Sequence, residues 1–218
     1  MNPADDIFAV VPVKEFFGAK QRLAGFMAPE QRRALAAAMA EDVLEVLASV
    51  GGLAGIVVVT CDPLAMGLAE RVGARIMTED ARAGQTSAVG AAQRALAREG
   101  RGGMLMLPGD IPLVSADEVA AVLAAHAPRP AFTIVPAHDG RGSNAILCSP
   151  PDVVPLRFGD DSFAPHLAAA RRQGIEPTVL RLRGIGMDID NPADIARCLR
   201  LSPQRHSRTL ALLEQASG

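Results

Sequence analysis

The sequence predicts one α/β domain: a mostly parallel central sheet with helices on both faces and a small antiparallel addition. Short apolar runs, residues 7–13 (IFAVVPV), 55–60 (GIVVVT) and 103–107 (GMLML), alternate with stretches of helical period. These runs are apolar throughout, as befits strands covered on both faces. After Pro130 the rhythm changes, and two strand-like runs are joined by a short polar loop, which reads as a hairpin.

The first strand, 7–13, leads into a loop over 14–25 that contains two glycines. Pro29 suits a first helical turn, and apolar spacing predicts a helix over 29–50 that stops at Gly51 and Gly52. A strand over 55–60, a helix over 63–72 and a short strand over 74–77 follow. The Ala-rich segment 86–99 is helical and closed by Gly100; the strand 103–107 then runs into Pro108-Gly109-Asp110. A helix over 116–127 precedes the hairpin strands 131–135 and 144–148. A helix over 163–173, an alternating strand over 178–182 and a helix over 192–201 complete a domain over 1–201. Residues 202–218, with Arg205, His206 and Arg208, read as a tail: a loosely held helix or a solvated terminus.

At 218 residues with 49% hydrophobic and 21% charged, the chain can bury a sizeable core and lacks the composition of a disordered protein. Its 22 basic and 24 acidic residues give a net charge of -2, so no nucleic-acid partner is expected, since non-specific binding rests on phosphate neutralisation. The three cysteines, Cys61, Cys148 and Cys198, lie far apart without metal-ligand spacing. Two sit in apolar strand-like contexts and read as buried small hydrophobes, which suits a reducing cytoplasm. The N-terminus is acidic with no apolar signal region, and no apolar stretch reaches membrane-spanning length. The expectation is a soluble cytoplasmic protein with no membrane partner.

The richest motif is Asp188-Ile189-Asp190. Alternate residues of an extended strand share a face, so two carboxylates stand side by side; with Asp110 folded onto them, three would call for a cation. An all-oxygen set suits magnesium, and magnesium suggests phosphate chemistry. The competing reading is that Asp190 or Asn191 merely caps the helix opening at Pro192; it leaves Asp188 unexplained. Gly109 leaves room beside Asp110, although a structural turn before Pro112 competes there too. The loop after the first strand carries Lys14, Lys20 and Arg22 around Gly18, at the sheet edge where such folds bind ligands. Those side chains could surround a triphosphate, or could form only a solvated basic turn; the loop lacks the P-loop Gly-Lys-Ser/Thr element. Segment 157–163 precedes a helix, with Asp161 or Ser162 placed to cap it and its free N–H groups able to meet an anion. Segment 140–144 reads as a Gly-rich polar turn. His166 could reach a substrate or lie in the helix surface or core, whereas His126, His138 and His206 carry no motif. No nucleophile–His–Asp set is visible.

Taken together, these segments resemble the CofC/FbiD guanylyltransferases of coenzyme F-420 biosynthesis, relatives of the MobA-like nucleotidyltransferases. The likeness spans about 7–200 and rests on Val13-Lys14, Ala19-Lys20-x-Arg22-Leu23, Gly109-Asp110-Ile111-Pro112, Arg157-Phe158-Gly159-x-Asp161-Ser162-Phe163 and Asp188-Ile189-Asp190-x-Pro192-x-Asp194. Its most specific part is Phe158-Gly159-x-Asp161-Ser162. The resemblance implies a Rossmann-like GT-A nucleotidyltransferase fold that joins GMP from GTP to 2-phospholactate, phosphoenolpyruvate or 3-phosphoglycerate and releases pyrophosphate. It implies Mg2+ on Asp110, Asp188 and Asp190, and Lys14, Lys20 and Arg22 on the GTP phosphates, with Lys20 also catalytic. Gly109, Gln85 and Thr86 would lie along the nucleotide, and Asn144, Gly159 and Ser162 would bind the acid. Gly84-Gln85-Thr86-Ser87 departs from an expected Leu-Asn pair, and Asn144 from an expected Thr, so base preference and acceptor stay open. A homodimer is left open. A cytidylyl- or sugar-phosphate transferase of the same fold, or a non-catalytic nucleotide-binding protein, remain the alternatives.

Overall fold

The computed structural model describes residues 6–202 and 207–217. In chain order the elements are β1 (Ile7–Pro12), α1 (Pro29–Ser49), β2 (Leu53–Val59), α2 (Pro63–Arg71), β3 (Arg75–Met77), α3 (Gln85–Arg98) and β4 (Gly103–Met106). Then come α4 (Ala116–Ala124), β5 (Ala131–Pro136), β6 (Ser143–Ser149), α5 (Phe163–Arg172), β7 (Thr178–Val179), α6 (Pro192–Leu201) and α7 (Arg208–Ser217). The strands form one sheet in the order β3-β2-β1-β4-β6-β5-β7. Among these strands β6 alone runs against its neighbours, pairing antiparallel with both β4 and β5, so the expected antiparallel addition is a single inserted strand.

The continuous apolar runs are explained by two cores. Along β1, Ala9 and Val11 face one side with Val43 and Leu47 of α1, Leu68 of α2 and Val119 of α4. Val10 faces the other side with Val89 and Leu96 of α3 and Ala170 of α5. In β4 the same alternation sends Leu105 to the first core and Met104 and Met106 to the second. With both faces covered, every position in these strands is apolar.

Caps fix where the helices begin. Asp62 accepts from Leu64 N at 2.8 Å and Ala65 N at 3.1 Å, while its other oxygen accepts from Phe16 N at 2.9 Å. One carboxylate therefore starts α2 and fastens the loop that follows β1. Cys148 and Cys198 are buried and Cys61 is partly exposed, and no disulfide joins these three cysteines. No helix among the described residues is long and apolar enough to cross a membrane.

Two expectations are corrected. The strand expected over 178–182 shortens to Thr178–Val179, and the Asp188-Ile189-Asp190 segment pairs with no strand. Its alternation survives all the same: Met187 and Ile189 are buried while Asp188 and Asp190 line a cleft. The second correction concerns the tail, because α7 is docked on α1 rather than solvated. Leu210 and Leu213 join a third core with Leu23, Leu35, Met39, Met187, Ile189 and Ile195. Asp42 of α1 also accepts from Arg208 N at 3.3 Å and Thr209 N at 3.1 Å, placing a carboxylate on the positive end of α7. Arg205 and His206 lie outside the described residues.

Leu213 is fully buried in this third core, so Leu213→Ala should lower the unfolding free energy by about 2–4 kcal/mol in urea titration. A loss below about 1 kcal/mol would mean that α7 contributes little to the core.

Candidate active site

An open cleft of about 900 Å³ lies where the parallel strands end. Lys14 follows the end of β1, and Asp110 follows β4 after a short apolar step. Because β6 is antiparallel, its first residues, Ser143 and Asn144, arrive at this same edge. The 188–190 segment is stitched beside Asp110 by Ile189 N donating to Asp110 O at 3.2 Å. Of the predicted site residues, Lys14, Lys20, Arg22, Gln85, Gly109, Asp110, Asn144, Gly159, Ser162, Asp188 and Asp190 all line the cleft. Thr86 does not. Its hydroxyl accepts from Phe158 N at 2.9 Å and so anchors the 157–162 turn instead.

Lys20 is the electrostatic centre. It adopts a left-handed backbone conformation (φ 52°, ψ 46°) ahead of a 3-10 turn, Gln21–Leu23, whose Leu23 is buried. This region is uncommon for a residue other than glycine, and here it aims the side chain inward. Nζ donates to Asp110 Oδ2 at 2.6 Å and to Asp190 Oδ1 at 2.9 Å. Burial disfavours the ammonium, but Asp110 and Asp190 outweigh that and hold its pKa above that of an ordinary lysine. Arg22 lies farther out, 3.6 Å from Asp190 and 3.5 Å from Asp160.

The paired carboxylates differ. Burial pushes Asp190 up, yet Lys20, helped by Arg22 and Lys14, more than reverses this and keeps it below the usual carboxylate range. Asp188 is raised, chiefly by burial and further by the charges of Asp110 and Asp190, against the hydrogen bond from Asn144. The helix-cap alternative is settled by a division of labour. Asn191 Oδ1 caps α6 by accepting from Ala193 N at 2.9 Å and Asp194 N at 3.2 Å. Asp194 Oδ2 in turn accepts from Asp190 N and Asn191 N, each at 2.9 Å, leaving the Asp190 side chain for the cleft.

Asn144, expected on the acid substrate, has both amide protons engaged: Nδ2 donates to Ile185 O and to Asp188 Oδ1, each at 3.0 Å. Its visible work is to orient Asp188. Neither expected cap starts α5 with its side chain. Ser162 occupies the cap position without a capping bond and instead donates to Ser143 Oγ at 3.2 Å. Asp161 pairs with Arg141, Nε to Oδ1 at 2.6 Å. A Cβ built on Gly159 would meet nothing within 4 Å, so that backbone faces open space. His166 takes the interior reading: it is buried and bonded to Ser143 and to Arg157 N.

Sequence reasoning missed His138, Arg141 and Ser143. His138 Nδ1 lies 3.6 Å from Asp188 Oδ1, and its Nε2 lies 3.5 Å from Asp194 Oδ1. Arg141 and Ser143 line the cleft. The available signal was their place at the turn of the expected hairpin: β5 runs parallel to β4, so the β5–β6 loop and the start of β6 lie at the site edge.

Among the described residues, no three His, Cys, Asp or Glu side chains stand as a ready metal cage. In this arrangement Lys20 is the cation between Asp110 and Asp190. The donor chemistry nonetheless fits a hard divalent ion. Every candidate donor is a carboxylate oxygen, and Asp188, raised chiefly by burial, is raised further by the charges of Asp110 and Asp190, which a cation would offset.

Comparison with known proteins agrees with this picture. Residues 7–210 match the family model described as "Guanylyl transferase CofC like". The phosphoenolpyruvate guanylyltransferase of Rubrobacter xylanophilus is 37% identical over 191 residues, covering 88% of this chain and 92% of that one. The enzyme of the same name from Conexibacter woesei is 38% identical over 217 residues, covering 95% of each chain. In fold, the chain resembles the crystal structure of a cytidylyltransferase from Leptospira borgpetersenii with a TM-score of 0.61 at 13% identity, covering 97% of this chain and 94% of the other. A family match over nearly the whole chain and relatives of this identity and coverage place it: this chain belongs to the CofC-like guanylyl transferase family.

Proposed function

We propose that the protein transfers GMP from GTP to phosphoenolpyruvate and releases pyrophosphate, as a step of coenzyme F-420 biosynthesis. The observation that carries the reading is one cleft lined by Lys14, Lys20, Arg22, Asp110, Asp188 and Asp190 together with Ser143, Gly159 and Ser162. The relatives' names favour phosphoenolpyruvate over 2-phospholactate and 3-phosphoglycerate. Three cysteines outside any disulfide suit a reducing cytoplasm, and the substrates call for no nucleic-acid or membrane partner.

In this mechanism a phosphate oxygen of the acid attacks the α-phosphorus of GTP in line. A new P–O bond forms to the acid as the bond from the α-phosphorus to the bridging oxygen breaks, and the electron pair leaves with pyrophosphate. The nucleophile is already anionic, so no protein base is required. The protein supplies position and charge. Lys20, with Lys14 and Arg22, stabilises the negative charge that gathers on the leaving group. Gln85 lies at the nucleotide end, while Asn144 holds Asp188 in orientation. Gly159 and Ser162 present the acid's end of the cleft. Magnesium, held by Asp110, Asp188 and Asp190, would neutralise phosphate charge at the reacting centre.

Pyrophosphate release measured with GTP, magnesium and each acid tests the reading. Asp110→Ala and Asp188→Ala should each lower turnover by about 10²–10⁴, the loss of several kcal/mol of transition-state stabilisation. Unchanged turnover in both would remove the carboxylates from the reaction. With phosphoenolpyruvate fixed, GTP should outcompete CTP as donor; a preference for CTP would make this a cytidylyltransferase of the same fold. Tight GTP binding without turnover on any acid would favour a nucleotide-binding protein without catalysis.

A further inference from the structure

Beside Asn144 the lining of the cleft carries a hydrogen-bond chain from Ser162 through Ser143 to His166. His166 is buried in α5 at 1% exposure, its ring packed edge-on to Phe158 with centroids 5.1 Å apart. The backbone N–H of Arg157 donates to His166 Nε2 at 3.0 Å, so that nitrogen carries no proton. Burial lowers the imidazole pKa to about 4, which keeps the ring neutral near pH 7. The ring proton is therefore on Nδ1, and Nδ1 lies 3.0 Å from Ser143 Oγ. Ser143 must accept it.

Ser162 Oγ also donates to Ser143 Oγ, at 3.2 Å. A serine oxygen has two lone pairs and one proton. With both lone pairs engaged, Ser143 has only its own O–H left, and it lines the cleft while being 6% exposed. Were the bond between the two hydroxyls reversed, the spare proton would sit on Ser162, which lines the same cleft. In either arrangement the pair offers the cleft one O–H donor, and the neutral His166 fixes that outcome.

We propose that Ser143 is an acceptor-binding residue, its hydroxyl donating to an anionic oxygen of the phosphorylated acid, and that His166 is the positioning residue that makes the hydroxyl a donor. This rests on the assignment of that part of the cleft to the acid. It extends the assignment to the first side chain of β6 and to a buried histidine that the reaction itself does not use. The arrangement selects for ligands that present an acceptor oxygen, such as a phosphate or carboxylate. With Ser162 as the donor to Ser143, a ligand presenting a hydroxyl or amine proton there would meet no free lone pair on Ser143.

The test is steady-state kinetics of pyrophosphate release with phosphoenolpyruvate and GTP varied separately. Because a hydrogen bond to a charged group is at stake, Ser143→Ala should raise the KM for phosphoenolpyruvate about 10- to 100-fold, with the KM for GTP unchanged and kcat little affected. Ser143→Cys, with a weaker donor, should fall between. His166→Phe should reproduce the rise for the acid alone, while His166→Asn, which keeps an N–H, should restore much of the affinity. Thermal melts of each variant identify any that fail to fold, and the Ser143→Cys result then decides. An acid KM within twofold of wild type in Ser143→Ala, or an equal rise in the GTP KM, would overturn the assignment. Wild-type turnover is read in the same assay: if no acid is guanylylated, the proposed reaction falls first and this inference with it.

Discussion

Three carboxylates cannot share one sheet edge without a cation, and the ammonium of Lys20 meets that constraint. It lies 2.6 Å from Asp110 and 2.9 Å from Asp190, joining parts of the chain 90 and 170 residues away. Much of the local structure serves to hold it there. The left-handed turn at Lys20 aims the chain inward, Leu23 pins that turn to the interior, and Asp62 fastens the loop at Phe16. A partly buried ion pair of this kind is weak evidence for stability, since desolvation opposes the attraction. Its value lies in keeping acidic and basic groups within reach of one ligand.

The third core explains how that reach is maintained. Leu23 and Met27 come from the basic loop, Met187 and Ile189 flank the acidic residues, and Leu210 and Leu213 come from α7. One small apolar cluster therefore underlies both halves of the charged centre. Close packing transmits small displacements, so the C-terminal helix is part of the foundation of the site although it contributes no cleft residue. Asp42 reinforces the arrangement by tying the start of α7 to α1, which also carries Leu35 and Met39 of the same cluster.

Much of this was legible in the sequence, for identifiable reasons. Buried parallel strands need apolar residues on both faces, so 7–13 and 103–107 announced themselves. Asp188 and Asp190 stood out because alternation along an extended segment is a local property, and it held even where no strand formed. What escaped depends on contacts distant in sequence. The packing of α7 needs the face of α1 across more than 160 residues, as the bond from Thr209 N to Asp42 illustrates. Thr86 looked like a ligand contact because its partner, the Phe158 backbone, is 72 residues away. Ser143 and His138 looked like ordinary turn residues because the sequence did not show that β5 ends, and β6 begins, at the edge of the cleft.

In the proposed reaction, Lys20 has two sets of partners: the carboxylates of the ligand-free protein and the phosphates of the nucleotide. A divalent cation at Asp110 and Asp190 would compete with it directly. The most direct measurement is calorimetric titration of Mn2+ into the wild-type protein and into Lys20→Met, without nucleotide. If Lys20 is the counter-ion of this centre, the variant binds Mn2+ about 10-fold or more tightly, a gain of about 1.4 kcal/mol or more, while losing most of its turnover. Equal or weaker Mn2+ binding in Lys20→Met would contradict that role.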